Sequence, residues 1–348
     1  MMKTLKKLFS SYLFNIALIF GLAALVLYLT IRDNPQEIFS ALEHADIVWM
    51  IVIVAMVISI RLFSGSAIKL ECNLTHPEYT FLQGVENAFV GGFFNEITPS
   101  ASGGQFAQVY LFRKQGIPIT ESAGVLWMNF IIYQTTMVAS VFLLILLKFH
   151  TFYSRYSQFF IIVLFGFAVN AAVIVSLWAL VKFPKFYTWL STSGISIGAR
   201  LRLVKDKEKA LESLNERLQR FQKEVDLLSN HKPMVIKVAI THLLRLLVYY
   251  SIPYACARAL HVPVNPGMLL DIITLSSFVS MVNAFIPLPG ASGGTEATFL
   301  LMFSTIFNEL DVRMVMLLWR FMSYYFDMML GAIVFLIAKS RPAVVVNR

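Results

Sequence analysis

Long apolar stretches separated by short polar or charged segments dominate the chain. Residues 12–31, 47–69, 122–147, 159–181, 234–258 and 314–337 each have about the 20 residues that a helix needs to cross the hydrocarbon core of a bilayer. The pattern predicts an all-α, polytopic integral membrane protein. Charge gives the orientation. Lys3, Lys6 and Lys7 precede the first span, which carries no evident processing site and reads as a retained helix. Asp33, Glu37, Glu43 and Asp46 follow it, and residues 182–232 hold eleven Lys and Arg against six Asp and Glu. By the positive-inside rule the acidic loop faces out, the basic loop faces in, and both termini are cytoplasmic, the last span ending before Lys339, Arg341 and Arg348.

Inside the basic loop, Leu211, Leu214, Leu218, Phe221, Val225 and Leu228 form a heptad seam, with Glu216, Arg220 and Glu224 on another face. Such a helix suits a partner, the membrane surface or its own bundle; three heptads are short for the first.

Two stretches do not fit simple spans. Residues 81–112 begin and end beside inner loops, and residues 268–307 begin and end beside outer ones, so each must leave on the side it entered. Both are broken by glycine and proline. At an offset of 190, Pro99, Ala101, Ser102, Gly103, Gly104 and Ala107 coincide with Pro289, Ala291, Ser292, Gly293, Gly294 and Ala297. The match continues at an offset of 191, where Phe130, Tyr133 and Met137 meet Phe321, Tyr324 and Met328, while Asn129 is replaced by Arg320. With the charge-derived orientation this is an inverted repeat with two broken, re-entrant helical segments. The chain divides into an N-terminal span and outer loop (1–46), a first repeat (47–158), a span with the amphipathic helix (159–233) and a second repeat (234–348).

Composition agrees. Hydrophobic residues make up 57% and charged residues 14% of the chain, against about 25% charged in soluble domains. A net charge of +9 then marks the cytoplasmic face and anionic lipid rather than nucleic acid. Two cysteines, Cys72 and Cys256, are too few for a disulfide framework or metal cluster, and of six His only His242 falls well inside a span. No Walker loop or G-x-S-x-G occurs. No cofactor or metal is expected, and the enzyme question leans to a transporter.

Non-helical backbone at membrane depth must be buried in protein or face a watery cavity, so each break implies a site. Ser102 reads as an N-cap with Gln105 at N3, and Ser292 stands at the equivalent point. The pairs Gly103/Gly104 and Gly293/Gly294 would leave the first N–H groups of the following helices open to a phosphate or carboxylate; close helix packing is the alternative. Arg245 lies deep in its span, and Arg320 and Asp327 share a face of the last one, as headgroup ligands or as an internal ion pair. Glu96 and Glu296 flank the broken segments and suit cationic groups or these arginines.

The runs PSASGGQFAQVYLFRKQGIP (99–118) and IPLPGASGGTEATFLL (286–301) resemble the signature segments of the flippase-like transmembrane family that includes the membrane half of lysylphosphatidylglycerol synthase. The resemblance covers roughly residues 10–340. It implies a multi-pass protein of the bacterial inner membrane that moves a phospholipid, anionic or aminoacylated like lysylphosphatidylglycerol, between leaflets without ATP and contributes to cationic peptide resistance. In two-part relatives a separate domain performs the lysyl transfer; this chain stops at Arg348, directly after its last span, and is expected to lack it. The alternatives are the membrane part of a phosphatidylglycerol lysyltransferase system and a non-transporting envelope scaffold. A homo-oligomer or a lipid-synthesising enzyme partner is left open.

Single cysteines at Pro118 and Asn265, in a background without Cys72 and Cys256, should be labelled from opposite sides of the membrane, Pro118 from the cytoplasm. Labelling of both from one side would remove the inverted repeat.

Overall fold

A computed structural model describes residues 43–148, 160–182, 225–283 and 288–342, together with Gln36, Ser40, Lys223 and Ile286. The first expected span and most of the heptad seam lie outside the described residues. The last two seam residues, Val225 and Leu228, are buried in this chain's own core beside Met234 and Val238.

Helices make up most of the described residues, and no strand occurs among them. Helix α1 (Ile47–Cys72) starts at Asp46, whose carboxylate accepts from the N–H groups of Val48 and Trp49 at 2.8 and 3.2 Å. Helices α4 (Ile119–Leu147), α5 (Phe160–Lys182) and α6 (Lys232–Ala259) are the next long helices. The last span is longer than the sequence predicts and is not uniform. It runs as α9 (Glu309–Arg320), a π-helical stretch Phe321–Phe326 and α10 (Asp327–Ser340). The cap explains the earlier start, because Asn308 Oδ1 accepts from the Asp311 N–H at 2.8 Å. Among the described residues five helical stretches are long and apolar enough to cross a membrane, and the protein is an all-α polytopic membrane protein.

The broken segments are hairpins. Helix α2 (Phe81–Glu96) meets a 3-10 turn, Pro99–Ala101, and the chain doubles back as α3 (Gly104–Lys114), which packs on α2. Legs of 16 and 11 residues rise about 24 and 16 Å, short of the roughly 30 Å core. In the second hairpin α7 (Leu269–Asn283), a turn Pro289–Ala291 and α8 (Gly294–Phe303) repeat the arrangement. Its first leg, counted from Pro266, has 18 residues and is long enough to cross; the second has 10.

The two turns share their first hydrogen bonds and their left-handed residues. Ser102 and Ser292 each donate through Oγ to the carbonyl of Pro99 or Pro289, at 2.9 and 3.0 Å. Their backbone N–H groups bond the same carbonyls at 3.2 Å in both copies. Ser100 and Gly290 have φ of 53° and 56°, Ala101 and Ala291 of 51° and 49°. A non-glycine residue in this left-handed region costs about 1 kcal/mol or more, so the surroundings hold both turns in place. The turns also touch each other. The sequence repeat is therefore a repeat of backbone path over Pro99–Ala101 and Pro289–Ala291, and the paths part at the next residues, where ψ is −18° at Ser102 and 139° at Ser292 and φ is −82° at Gly103 and 86° at Gly293.

Around the hairpins, α6 lies along α1, and α10 packs on α2. The larger core joins Ile53, Tyr250, Phe278, Phe299, Phe303 and Trp319, with the Phe299 ring stacked 4.1 Å from Phe303 and 4.7 Å from Trp319. Outward-facing Phe165, Leu147, Leu336 and Ile333 are exposed, as expected where lipid is the solvent. Beyond the end of α1, burial raises the Tyr79 hydroxyl above its usual range, and it donates to Gln115 Oε1 at 2.9 Å.

Glycine brings α1 and α2 together. A methyl on Gly84 would sit 2.4 Å from the Gly65 carbonyl oxygen, and one on Gly65 would sit 2.5 Å from the Val85 nitrogen. Because these neighbours are backbone, they cannot swing aside. Gly84→Ala should destabilise the protein in detergent by about 1–3 kcal/mol, read as a lower melting temperature and a lower folded yield. Wild-type melting would show that the two helices can part without cost.

Candidate functional site

A cavity of about 390 Å³ lies between the two turns. Its wall takes Arg61 from α1, Asn95 and Glu96 from the end of α2, Arg245 and Tyr249 from α6, and Ser280 and Asn283 from α7. The π-helical stretch supplies Ser323 and Tyr324, and Asp327 closes the list at the start of α10. Ser100, Ala101, Gly290 and Ala291 bring the turns themselves to the surface of the cavity. The first turn is exposed at Ser100, Ala101 and Ser102, whereas the second is largely enclosed, with Pro289 and Ser292 buried.

Two arginines are held by carboxylates. Arg61 reaches Glu96 Oε1 through Nη2 at 2.9 Å and Asp327 Oδ1 through Nε at 2.9 Å, and Nη2 also bonds Asp327 Oδ2. One guanidinium thus ties α1 to the end of α2 and the start of α10. Gly92 makes the room, since a methyl there would sit 2.2 Å from the guanidinium. Arg320 Nε lies 2.7 Å from Glu296 Oε1, and Nη2 donates to Gly290 O at 2.8 Å and Ser292 Oγ at 3.3 Å. Its guanidinium stacks over Tyr324, 3.9 Å from the ring centre. Tyr324 in turn donates to Glu96 O at 3.0 Å, so the two turns are joined through one tyrosine.

Arg245 differs. It lies over the Tyr133 ring, 4.5 Å from its centre, and among the described residues no carboxylate pairs with it. It is a cation facing a cavity with no fixed counter-ion.

Of the residues that the sequence singles out, Glu96, Arg245, Arg320 and Asp327 line this cavity. Ser102, Gly103, Gly104, Gln105, Ser292, Gly293, Gly294 and Glu296 lie beside it, behind the turns. The expected capping box at Ser102 does not form. The N-cap is Gly103, Ser102 turns its hydroxyl back to Pro99, and Gln105 is exposed. Three of the four glycine N–H groups are not open either. Gly103 donates to Thr98 Oγ1 at 2.8 Å and Gly104 to Asn95 Oδ1 at 3.0 Å. In the second copy Gly293 donates to Glu296 Oε2 at 2.7 Å. The reason is geometric: each hairpin folds side-chain acceptors back over the new helix start, and the chain's own oxygens take its positive end. A methyl on Gly104 would meet Asn95 Oδ1 at 2.2 Å and the Gly91 carbonyl at 2.4 Å, so this glycine serves close packing.

A second expectation is corrected. Arg320 and Asp327 do not pair with each other; Glu296 holds the first and Arg61 the second. Arg61, Asn95, Tyr249 and Asn283 escaped the sequence reading. For Arg61 a signal existed, because it is the single charge between residues 47 and 68.

A family model for the lysylphosphatidylglycerol synthase transmembrane region matches residues 13–331. No curated protein and no solved structure matches the chain. The matched region runs through both hairpins and every helix that walls the cavity up to α10, and the chain belongs to the family of the lysylphosphatidylglycerol synthase transmembrane region.

Proposed function

We propose that the protein moves a phospholipid, anionic or aminoacylated like those of the phosphatidylglycerol group, between leaflets of the bacterial inner membrane without ATP. The observation that carries this reading is Arg245, an uncompensated guanidinium in a cavity walled by both halves of a repeat. A half-buried cation at membrane depth without a carboxylate is costly, and an anionic headgroup supplies what it lacks. The phosphate meets Arg245. An amine on the headgroup meets Glu96 and Asp327, whose carboxylates Arg61 neutralises only in part. The acyl chains stay in lipid along the exposed first turn.

Movement then requires the wall to change. Arg61 bridges three elements, and its exchange of Glu96 or Asp327 for a headgroup group opens one side while the other stays shut. As the turns shift, the N–H groups of Gly103 and Gly293 exchange their internal acceptors for phosphate, which gives Ser102, Gly104, Gln105, Ser292, Gly294 and Glu296 their part as the frame of that exchange. Both termini face the cytoplasm in this reading, and outward display of a cationic lipid would protect against cationic peptides.

Leaflet exchange of fluorescent anionic and zwitterionic phospholipids in proteoliposomes tests the proposal. Arg245→Gln should slow exchange of the anionic lipid about tenfold or more, the worth of one charge-assisted hydrogen bond, and Arg245→Lys should be impaired less. Unchanged exchange in Arg245→Gln would take Arg245 out of the site. No leaflet exchange by the wild-type protein would overturn the transport reading itself.

The Arg61 bridge makes a separate prediction. Arg61→Gln strands two carboxylates and should cost about 3–5 kcal/mol of stability. Adding Asp327→Asn should recover part of that loss, measured as folded yield and melting temperature. A double variant no better than Arg61→Gln alone would mean that Asp327 does not depend on this cation.

A further inference from the structure

We propose that Glu71 is a proton-binding site whose occupancy drives the conformational cycle; the coupling to lipid movement rests on the transport reading above. Glu71 sits in the last turn of α1 and is fully buried. Its Oε2 accepts from Asn129 Nδ2 of α4 at 2.8 Å, and its Oε1 has no partner. No cation compensates it among the described residues. Arg61, ten positions earlier, is committed to Glu96 and Asp327. Lys69 lies about 200° around the helix, at 100° per residue, and Lys237 on α6 is exposed. The core around this end of α1 is apolar: Ile68, Met128, Met234 and Val238, with Cys72 and Tyr79 as its titratable members.

A carboxylate in such a pocket, with one hydrogen bond and no counter-ion, is expensive; the neutral acid, with its proton on Oε1, is the form the pocket accommodates. A polar bridge between α1 and α4 could be made by Gln at no such risk. An ionisable group there therefore points to use of the ionisation.

The same face of α4 connects this group to the cavity. One turn after Asn129, Tyr133 enters the cavity wall under Arg245 and packs edge-on against His242, with ring centres 5.4 Å apart. His242 is fully buried, and both ring nitrogens lack partners. Loss of the Glu71 proton to water leaves a bare carboxylate between α1 and α4, which favours a state in which that interface admits water. Return of the proton favours the closed state. A shift of α4 at Asn129 carries to Tyr133, and so to the cation that meets the headgroup.

The test uses full-length protein in liposomes of phosphatidylglycerol and phosphatidylethanolamine. Infrared difference spectra across a pH series should contain a protonated-carboxyl stretch that titrates in the wild type and is lost in Glu71→Gln. Asn129→Ala, which removes the donor to Oε2, should move the pH at which that band changes. Lipid exchange in the wild type should respond to an imposed pH gradient, with protons appearing on a lumenal pH dye, while Glu71→Gln should exchange at one rate whatever the gradient. A gradient response that survives Glu71→Gln, or spectra with no titrating band assignable to Glu71, would overturn the proposal. Absence of all lipid exchange would instead sink the transport reading, with the infrared titration still deciding whether Glu71 binds a proton.

Discussion

Backbone that leaves the helix inside a bilayer must find partners for its N–H and C=O groups, because hydrocarbon offers none. Both turns meet that constraint with side chains from within their own hairpins. Thr98 and Asn95 reach the helix start after the first turn, and Glu296 reaches the start after the second. The second turn also has a carbonyl, Gly290 O, that takes a guanidinium proton of Arg320. Close approach of Asn95 to the first helix start requires glycine at 104, where a methyl would sit 2.2 Å from Asn95 Oδ1 and 2.4 Å from the Gly91 carbonyl oxygen. The glycine-rich character of the broken segments thus follows from satisfying backbone in a dry place.

The charges follow from the same constraint. Arg320 is needed where a carbonyl is left over, Glu296 is needed where an N–H is left over, and each neutralises the other. Arg61 then serves Glu96 and Asp327 across three elements, in a geometry with two parallel bonds to one carboxylate. With those five groups committed to structure, Arg245 is the charge of the cavity that no carboxylate pairs with among the described residues. Its cation–π contact with Tyr133 orients it without neutralising it.

Sequence periodicity located the long helices within a few residues and found both breaks, because apolar length and Gly/Pro runs are local signals. It failed where the deciding contact was distant. The helix starts read as open in sequence because Thr98 and Asn95 fold back only once the hairpin closes. Arg320 and Asp327 read as a pair because helical spacing puts them on one face, yet a π-helical stretch separates them and each finds a partner on another element. Arg61 was visible as a lone charge in an apolar span, but its two partners are 35 and 266 residues away. The site was legible to the nearest turn, and its membership was not.

The two halves differ in ways that bear on their rigidity. If the two copies were identical, their turns would be equally strained and equally enclosed. They are not. Asn129 holds the position of Arg320, so one copy offers a neutral amide to Glu71 where the other offers a cation to Glu296. Ser100 takes with strain the left-handed turn that Gly290 takes freely, and the first turn is exposed where the second is enclosed. A strained, exposed turn is the easier of the two to move. The half with Glu71 therefore combines the strained, exposed turn with an acid that no cation pairs with among the described residues, and the half with Arg320 combines the enclosed turn with a neutralised pair.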